Sequence, residues 1–151
     1  FVNCYYNYAS ILKIMVIISK EAEVQEELIC IYDLLLQKRA SIQKELKSIR
    51  LTFEKQCNLV ILNGYIEDKS PILTNKIYHK KFLEYDTHCH IIDIINDFKD
   101  VYGYFPEYEE MYYTLQQTML QFADIESYEC AAFVKIWVDR IRHIITQKNA
   151  N

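Results

Sequence analysis

The chain has 151 residues, of which 51% are hydrophobic and 25% charged, and its formal net charge at pH 7 is −4. This composition fits one globular domain and excludes an intrinsically disordered chain. Two glycines and two prolines are too few for the glycine-rich loops that bind nucleotides or for the tight turns of a β-sheet protein. We therefore predict an all-α fold, a single domain over residues 1–151 with four or five helices in a bundle. Because the first residue is Phe1 rather than Met, we expect a fragment of a larger protein.

The first two helices are predicted from residues 1–63, which contain neither glycine nor proline. Ser19 is followed closely by acidic residues, as at a helix N-cap, where negative charge is favourable. The pattern predicts a short helix over about 4–18 and a long one over about 20–59, with one unbroken helix as the alternative. The apolar run Ala9–Ser19 contains Lys13 and is about half the ~20 residues of a membrane span, so we expect a core helix there and no membrane span.

The long helix has a coiled-coil-like pattern. Its seam residues recur at alternating spacings of four and three, as in a heptad repeat. Arg39 occupies one seam position, where it either sets the register and partner choice or extends its charge to solvent from the edge. We predict that the seam is the interaction surface, buried by a protein partner or a second copy. The seam residues are Leu28, Tyr32, Leu35, Arg39, Ile42, Leu46, Ile49 and Phe53.

The remaining helices follow a predicted loop over about 64–75. Gly64 suits the end of a helix, and Pro71 cannot continue one. Gly103 and Pro106 predict a turn after the third helix, and residues 124–127 predict a break before the last one. The predicted helices of this half cover about 76–101, 107–122 and 127–147.

The His88–Cys89–His90 triplet is the most suggestive group of reactive side chains. Consecutive side chains on a helix diverge by about 100°, so these three cannot converge on one metal ion. We interpret Cys89 as a thiol at the edge of the core, flanked by two surface imidazoles. Neither here nor elsewhere does the sequence predict catalytic, cofactor-binding or metal-binding residues, and we expect a protein that is not an enzyme and has no cofactor.

The five cysteines are widely spaced, and no CxxC pair occurs. This usage is typical of buried thiols in a reducing compartment rather than of a disulfide framework. We therefore expect an intracellular protein, cytoplasmic or nuclear.

Two basic patches and an aromatic turn provide secondary interaction candidates. One patch surrounds Lys80 and Lys81, and the other lies near the C-terminus. With nearby tyrosines they suggest contact with a nucleic acid, although the net negative charge disfavours it. Tyr104, Tyr112 and Tyr113 belong to an aromatic group that we interpret mainly as a small core between helices. Because Tyr112 and Tyr113 are adjacent, one of them should point outward.

The leading hypothesis is a non-enzymatic protein–protein interaction or oligomerisation module, a scaffold part of a larger intracellular assembly. A nucleic-acid-associated helical protein is the first alternative. In size, helix content and its Ile-, Tyr- and Asn-rich composition, the chain resembles the small helical viral bundles related to the apoptosis regulators. This resemblance implies a second alternative, a viral-type bundle that modulates host signalling, although that family's central Asn-Trp-Gly-Arg signature is absent.

Overall fold

The structure, a computed structural model, describes the backbone of residues 3–64 and 69–149 and the side chains of residues 25–64, apart from Glu27, and of 69–147. Within those ranges the chain forms helices and no strand, which confirms the predicted all-α class. The four helices are α1 (Asn3–Leu62), α2 (Ser70–Tyr102), α3 (Tyr108–Asp124) and α4 (Tyr128–Asn149).

Helix α1 is unbroken over 60 residues, about 90 Å at 1.5 Å per residue. The predicted break near Ser19 is therefore wrong, and the unbroken alternative is correct. A serine inside a helix costs only a few tenths of a kcal/mol relative to better helix formers, which is too little to end a helix without glycine or proline nearby. The predicted burial of Ala9–Ser19 lies outside the described side chains. In the part of the chain that the structure describes, no helix combines the length and apolarity needed to cross a lipid bilayer.

The loop between α1 and α2 is shorter than predicted, because α2 begins at Ser70 rather than near residue 76. Pro71 lies in the first turn of α2, where the amide hydrogen that proline lacks would have no helical acceptor. Pro71 is therefore compatible with a helix that begins at Ser70, and α2 does not have to begin after it. Gly64 follows α1 with φ of +71°, as expected for a glycine beyond a helix end.

The turn between α2 and α3 forms as predicted. Gly103 adopts φ of +79°, and its N–H donates to Lys99 O at 2.7 Å. Phe105 follows in the core, with its ring 5.4 Å from that of Tyr32 on α1. The Gln25 side-chain amide accepts a hydrogen bond from Phe105 N at 3.1 Å and donates one to Phe105 O at 3.2 Å. Helix α1 is thereby joined to this turn through both the backbone N–H and the backbone C=O of Phe105.

The predicted break over residues 124–127 is also confirmed. Helix α3 ends at Asp124 and α4 begins at Tyr128. Glu126 has φ of +60°, a left-handed conformation uncommon for residues other than glycine. The N–H of Ser127 then donates to Phe122 O at 2.8 Å, which satisfies one of the last carbonyls of α3.

The helices pack as two pairs, α1 with α2 and α3 with α4, and α2 also packs against α4. Residues from all four helices form one buried cluster, which we call the four-helix core. Residues 28–35 of α1 and 91–95 of α2 contribute to it, together with one face each of α3 and α4. Its buried members are Leu28, Ile31, Leu35, Ile91, Ile92, Ile95, Phe105, Tyr108, Met111, Leu115, Val134, Trp137, Val138 and Ile141.

Beyond the four-helix core, α1 and α2 continue as a pair towards their connecting turn. We call residues 44–64 and 69–81 the hairpin arm. Of its described side chains only Leu46 is buried. The arm therefore lacks the second layer of helices that covers the α1–α2 pair in the core.

Candidate functional site

Four of the eight seam residues, spread from Leu28 to Leu46, are buried by the chain's own helices. Leu28, Leu35 and Ile42 are 0% exposed and Leu46 is 8% exposed. Leu28 and Leu35 belong to the four-helix core, so a partner could reach them only if another helix moved away. Whether a partner contacts the seam stays a prediction.

The seam opens towards the hairpin arm. Ile49 and Phe53 are half-buried between α1 and α2, and Tyr32 and Arg39 are half-buried nearer the core. The Tyr32 hydroxyl donates to Asn96 Oδ1 at 2.7 Å, so this seam position forms a polar link to α2. The seam is thus an intramolecular contact that weakens along its length.

The hairpin arm carries the largest group of exposed aliphatic side chains on adjoining elements. The fractions exposed range from 53% for Ile77 to 80% for Leu62. Because they lie outside the α1–α2 contact on both helices, they are not needed to hold the pair together. The exposed aliphatic residues of the arm are Leu51, Leu59, Ile61, Leu62, Ile72, Leu73 and Ile77.

Polar contacts hold the arm closed along its inner side. Near the turn, the Thr74 hydroxyl donates to Gln56 Oε1 at 2.7 Å. At the base, Lys81 Nζ lies 2.9 Å from Glu45 and 2.7 Å from Glu84, and Lys38 Nζ lies 3.2 Å from Glu84. Burial opposes ionisation of Glu84, but the hydrogen bonds from Lys81 and Lys38 outweigh it and lower the pKa of the Glu84 carboxyl.

The first basic patch lies on the arm, and its two candidate lysines differ in their surroundings. Lys80 is exposed, whereas Lys81 is half-buried and neutralised by Glu45 and Glu84. Lys69, Lys76 and His79 are exposed on the same helix or just before it. Lys81 is therefore mainly a link between α1 and α2, and the other basic residues remain accessible to an acidic partner.

The second basic patch is partly engaged within the chain. Arg142 Nη2 donates to the Tyr112 hydroxyl at 2.7 Å and lies over the Tyr112 ring, and Arg142 Nη1 is 3.8 Å from Asp139. The Arg140 guanidinium lies over the Trp137 ring at 5.7 Å. These contacts leave less of this patch available to phosphates.

The tyrosine candidates agree with the prediction in part, because Tyr112 and Tyr113 divide as expected but Tyr104 lies outside the predicted small core. Tyr112 packs against the core, while Tyr113 is 63% exposed, so one of the adjacent pair does point outward. Tyr104 is exposed, with its ring 5.9 Å from Phe98 and 6.1 Å from Tyr102. These three rings form a surface cluster at the end of α2.

His88 is buried, so its interpretation as a surface imidazole is wrong. The residue is 2% exposed, and its ring contacts the Trp137 ring edge to face at 5.9 Å. Trp137 Nε1–H donates to His88 Nε2 at 3.2 Å, and His88 Nδ1 lies 2.7 Å from Glu84 O. Because Nε2 accepts, the proton of the neutral ring lies on Nδ1 and is donated to that carbonyl. Burial lowers the pKa of His88, consistent with a neutral structural imidazole.

The neighbours of His88 agree better with the prediction. His90 is exposed and Cys89 is half-buried, as expected for residues diverging around one helix. Among the four cysteines whose side chains the structure describes, the expectation of buried thiols holds for Cys130 only, because Cys30 is exposed and Cys57 and Cys89 are half-buried, and all four are unpaired. Cys4 lies outside the described side chains. No group of three or more His, Cys, Asp or Glu residues is placed to hold a metal ion in the ranges that the structure describes.

Comparisons of the chain with protein-family models, with curated proteins and with solved structures give no match. The function must therefore be inferred from the chain's own surfaces. Among the described residues, the hairpin arm combines exposed aliphatic side chains with accessible basic ones, and it is the candidate site.

Proposed function

We propose that this chain is a non-enzymatic protein–protein interaction module of a larger intracellular assembly, and that the hairpin arm is its docking surface. The observation that supports this proposal is the exposed aliphatic surface on the two adjoining helices of the arm. Large exposed apolar patches are typical of interaction sites, and a partner that covers several of these side chains together would use such a patch.

The packing of the arm supports the same proposal. Leu51, Leu62 and Leu73 are 58%, 80% and 62% exposed. Full burial of such a side chain stabilises an interface by roughly 1.5–3 kcal/mol, although association and side-chain ordering oppose part of that gain. A few of these residues are therefore enough to drive binding if a partner covers them together.

The coiled-coil character of the seam is part of this proposal. In the four-helix core, seam residues pack in one cluster with residues of α2, α3 and α4. In the arm, where that second layer is missing, Ile49 and Phe53 are half-buried. A partner helix lying along the arm would extend the seam packing and take the place that α3 and α4 have in the core.

Site-specific photo-crosslinking in extract of the organism that makes the protein tests this proposal. A photoreactive side chain at Leu51 or Leu73 should give a discrete adduct, either with another protein or with a second copy. The same side chain at Val101, which is 73% exposed at the other end of α2, is the matched control. Equal labelling at both ends, or no adduct from the arm, would contradict the proposal.

A nucleic-acid partner is the second candidate, supported by the exposed basic residues of the arm. Its test is salt-dependent retention on a polyanion column, with Lys76→Glu plus Lys80→Glu as the variant, because both lysines are exposed. Retention that these changes leave unaltered would remove this candidate. The viral-type bundle that modulates host signalling stays a prediction.

A further inference from the structure

We propose that the partner of the hairpin arm is a second copy of this chain, whose acidic α3–α4 turn covers the arm in a two-fold symmetric dimer. This inference rests on the function proposed above and names the partner. It is carried by two surfaces of opposite charge, each with exposed apolar side chains.

The arm is the basic surface. Residues 44–81 contain eight Lys or Arg and four Asp or Glu. Exposed basic residues alternate with exposed aliphatic ones along each helix, for example Lys47, Leu51 and Lys55 on α1, and Leu73 and Lys76 on α2. A protein surface that matches the arm must therefore be both acidic and apolar.

The α3–α4 turn is such a surface. Ile125, in the turn, is 72% exposed, and Tyr128, the first residue of α4, is 66% exposed. Asp124, Glu126 and Glu129 are exposed among them. The region that contains the turn, residues 87–149, has five Lys or Arg and ten Asp or Glu.

The positions of the two surfaces allow a symmetric pairing. The Phe122 ring near the end of α3 lies 5.7 Å from that of His90 on α2, so the α3–α4 turn lies on the side of the four-helix core that faces the arm. Both surfaces therefore lie towards the same end of the molecule. When two copies meet about a two-fold axis, each arm can lie on the partner's turn, and the contact forms twice.

A second copy explains both surfaces better than a lipid or nucleic-acid partner. An anionic bilayer or a phosphate backbone would contact the basic arm but would leave the acidic, apolar turn uncovered. A second copy neutralises the lysines of the arm and buries the aliphatic side chains of both surfaces in one step. Like charges also disfavour the alternative contacts of arm with arm and turn with turn.

Light scattering after size exclusion, with charge-swapped variants, tests the dimer. The arm variant is Lys55→Glu plus Lys76→Glu, and the turn variant is Asp124→Lys plus Glu129→Lys. We expect the wild-type mass to rise from 18.1 kDa to twice that value with concentration, and each variant alone to stay at the monomer mass. An equimolar mixture of the two variants should regain the dimer, because both contacts are again between opposite charges.

The control is Asp97→Lys plus Asp100→Lys, which reverses two exposed acids on α2 away from the turn and should leave the dimer intact. Circular dichroism of every variant checks that the helices persist. A wild-type monomer at concentrations up to about 100 µM, where a dimer with Kd near 10 µM would prevail, overturns the inference. A mixture that stays monomeric also overturns it.

The remaining outcomes separate this inference from the proposed function. If the purified protein is monomeric but the arm crosslinks to a different protein, the dimer is wrong and the interaction module stands. If the monomer instead floats with vesicles containing anionic lipid, or is retained on a polyanion through Lys76 and Lys80, and the arm gives no protein adduct, both the dimer and the protein partner are wrong.

Discussion

The four-helix core and the hairpin arm share helices α1 and α2, and the heptad seam of α1 runs through both, but the two regions bury their apolar residues to different extents. In the core, Leu28 and Leu35 are fully buried, because α3 and α4 add a second layer. In the arm, Ile49 and Phe53 are half-buried and Leu51 is largely exposed. Heptad spacing thus identifies the face of α1 that packs on α2, where Ile42 and Leu46 are buried even outside the four-helix core. The second layer of helices adds cover for other apolar positions, which the arm lacks.

The largest expected loss of stability is for substitutions in the four-helix core. Leu35→Ala should lower the free energy of unfolding by about 2–5 kcal/mol, because it leaves a cavity among fully buried side chains. Leu35→Asp should prevent folding, since it buries an unpaired carboxylate. Leu51→Ala, at an exposed position of the same helix, is the control and should change stability by no more than about 0.5 kcal/mol. Urea unfolding measured by circular dichroism checks both; equal losses would show that the arm is packed as well as the core.

The next effect is a pH dependence at the junction of α2 and α4. The pKa of His88 is lowered in the folded state from its ordinary value of 6.5. The unfolded chain therefore binds the proton first, and stability should fall as pH drops below about 6.5. When His88 is protonated, its Nε2 also carries a hydrogen, and two N–H donors, Trp137 Nε1–H and His88 Nε2–H, then point at each other. Loss of this hydrogen bond costs on the order of 1–3 kcal/mol.

The control for His88 is the exposed His79 on the same helix. In the wild type, the urea midpoint should decrease as the pH is lowered below about 6.5. This decrease should be absent in His88→Gln and present in His79→Gln. The lowered pKa of Glu84 makes a separate contribution, lost only as pH falls below the ordinary carboxyl value of 4.5. A pH profile that is identical in wild type and His88→Gln would disprove the assignment.

A smaller effect is expected where the arm joins the core. Lys81→Met removes the ammonium that links Glu45 to Glu84 and should cost about 0.5–1 kcal/mol, because these groups remain partly accessible to solvent. Lys80→Met, one position away and exposed, should have no measurable effect. The loss at Lys81 should shrink in high salt, since screening weakens the ion pairs. An equal loss from the two variants would mean that the network does not hold the arm closed.

The smallest effect on stability, and the largest contrast with the core, is expected for the double change Leu51→Ser plus Leu73→Ser. Both side chains are more than half exposed, so we expect the unfolding free energy to change by less than about 1 kcal/mol in total. The same change should abolish crosslinking from another arm position such as Leu62. If stability were lost while crosslinking persisted, these leucines would belong to the packing of the fold and not to a docking surface.

Much of the fold follows from the sequence, because the rarity of glycine and proline leaves helices as the only efficient structure. The turn at Gly103 is predictable since glycine accepts positive φ, and the break before Tyr128 is predictable from its capping residues. The predicted break at Ser19 is wrong, because a capping residue alone does not stop a helix whose flanking residues favour continuation.

The candidate site is less predictable. Three consecutive residues such as His88, Cys89 and His90 must point in different directions, but only the position of α4 decides that His88 is the buried one. The need of Trp137 for a hydrogen-bond acceptor is the signal that could have found this pair. The excess of basic residues in 44–81 and of acidic residues in 87–149 is visible in the sequence. However, the sequence alone does not show that residues 44–81 form one projecting arm, so it does not show that their basic residues share one surface.

The paired hydrogen bonds between Gln25 and Phe105 have a consequence for alignment. A heptad seam is periodic, so α1 could slide along α2 by seven residues and still present an apolar residue at most positions. The Gln25 side-chain amide pairs with the backbone N–H and C=O of Phe105, in the turn after α2. A shift of α1 by seven residues would separate these groups. A single non-repeating polar contact thus selects one alignment from several that the repeating apolar contacts would tolerate.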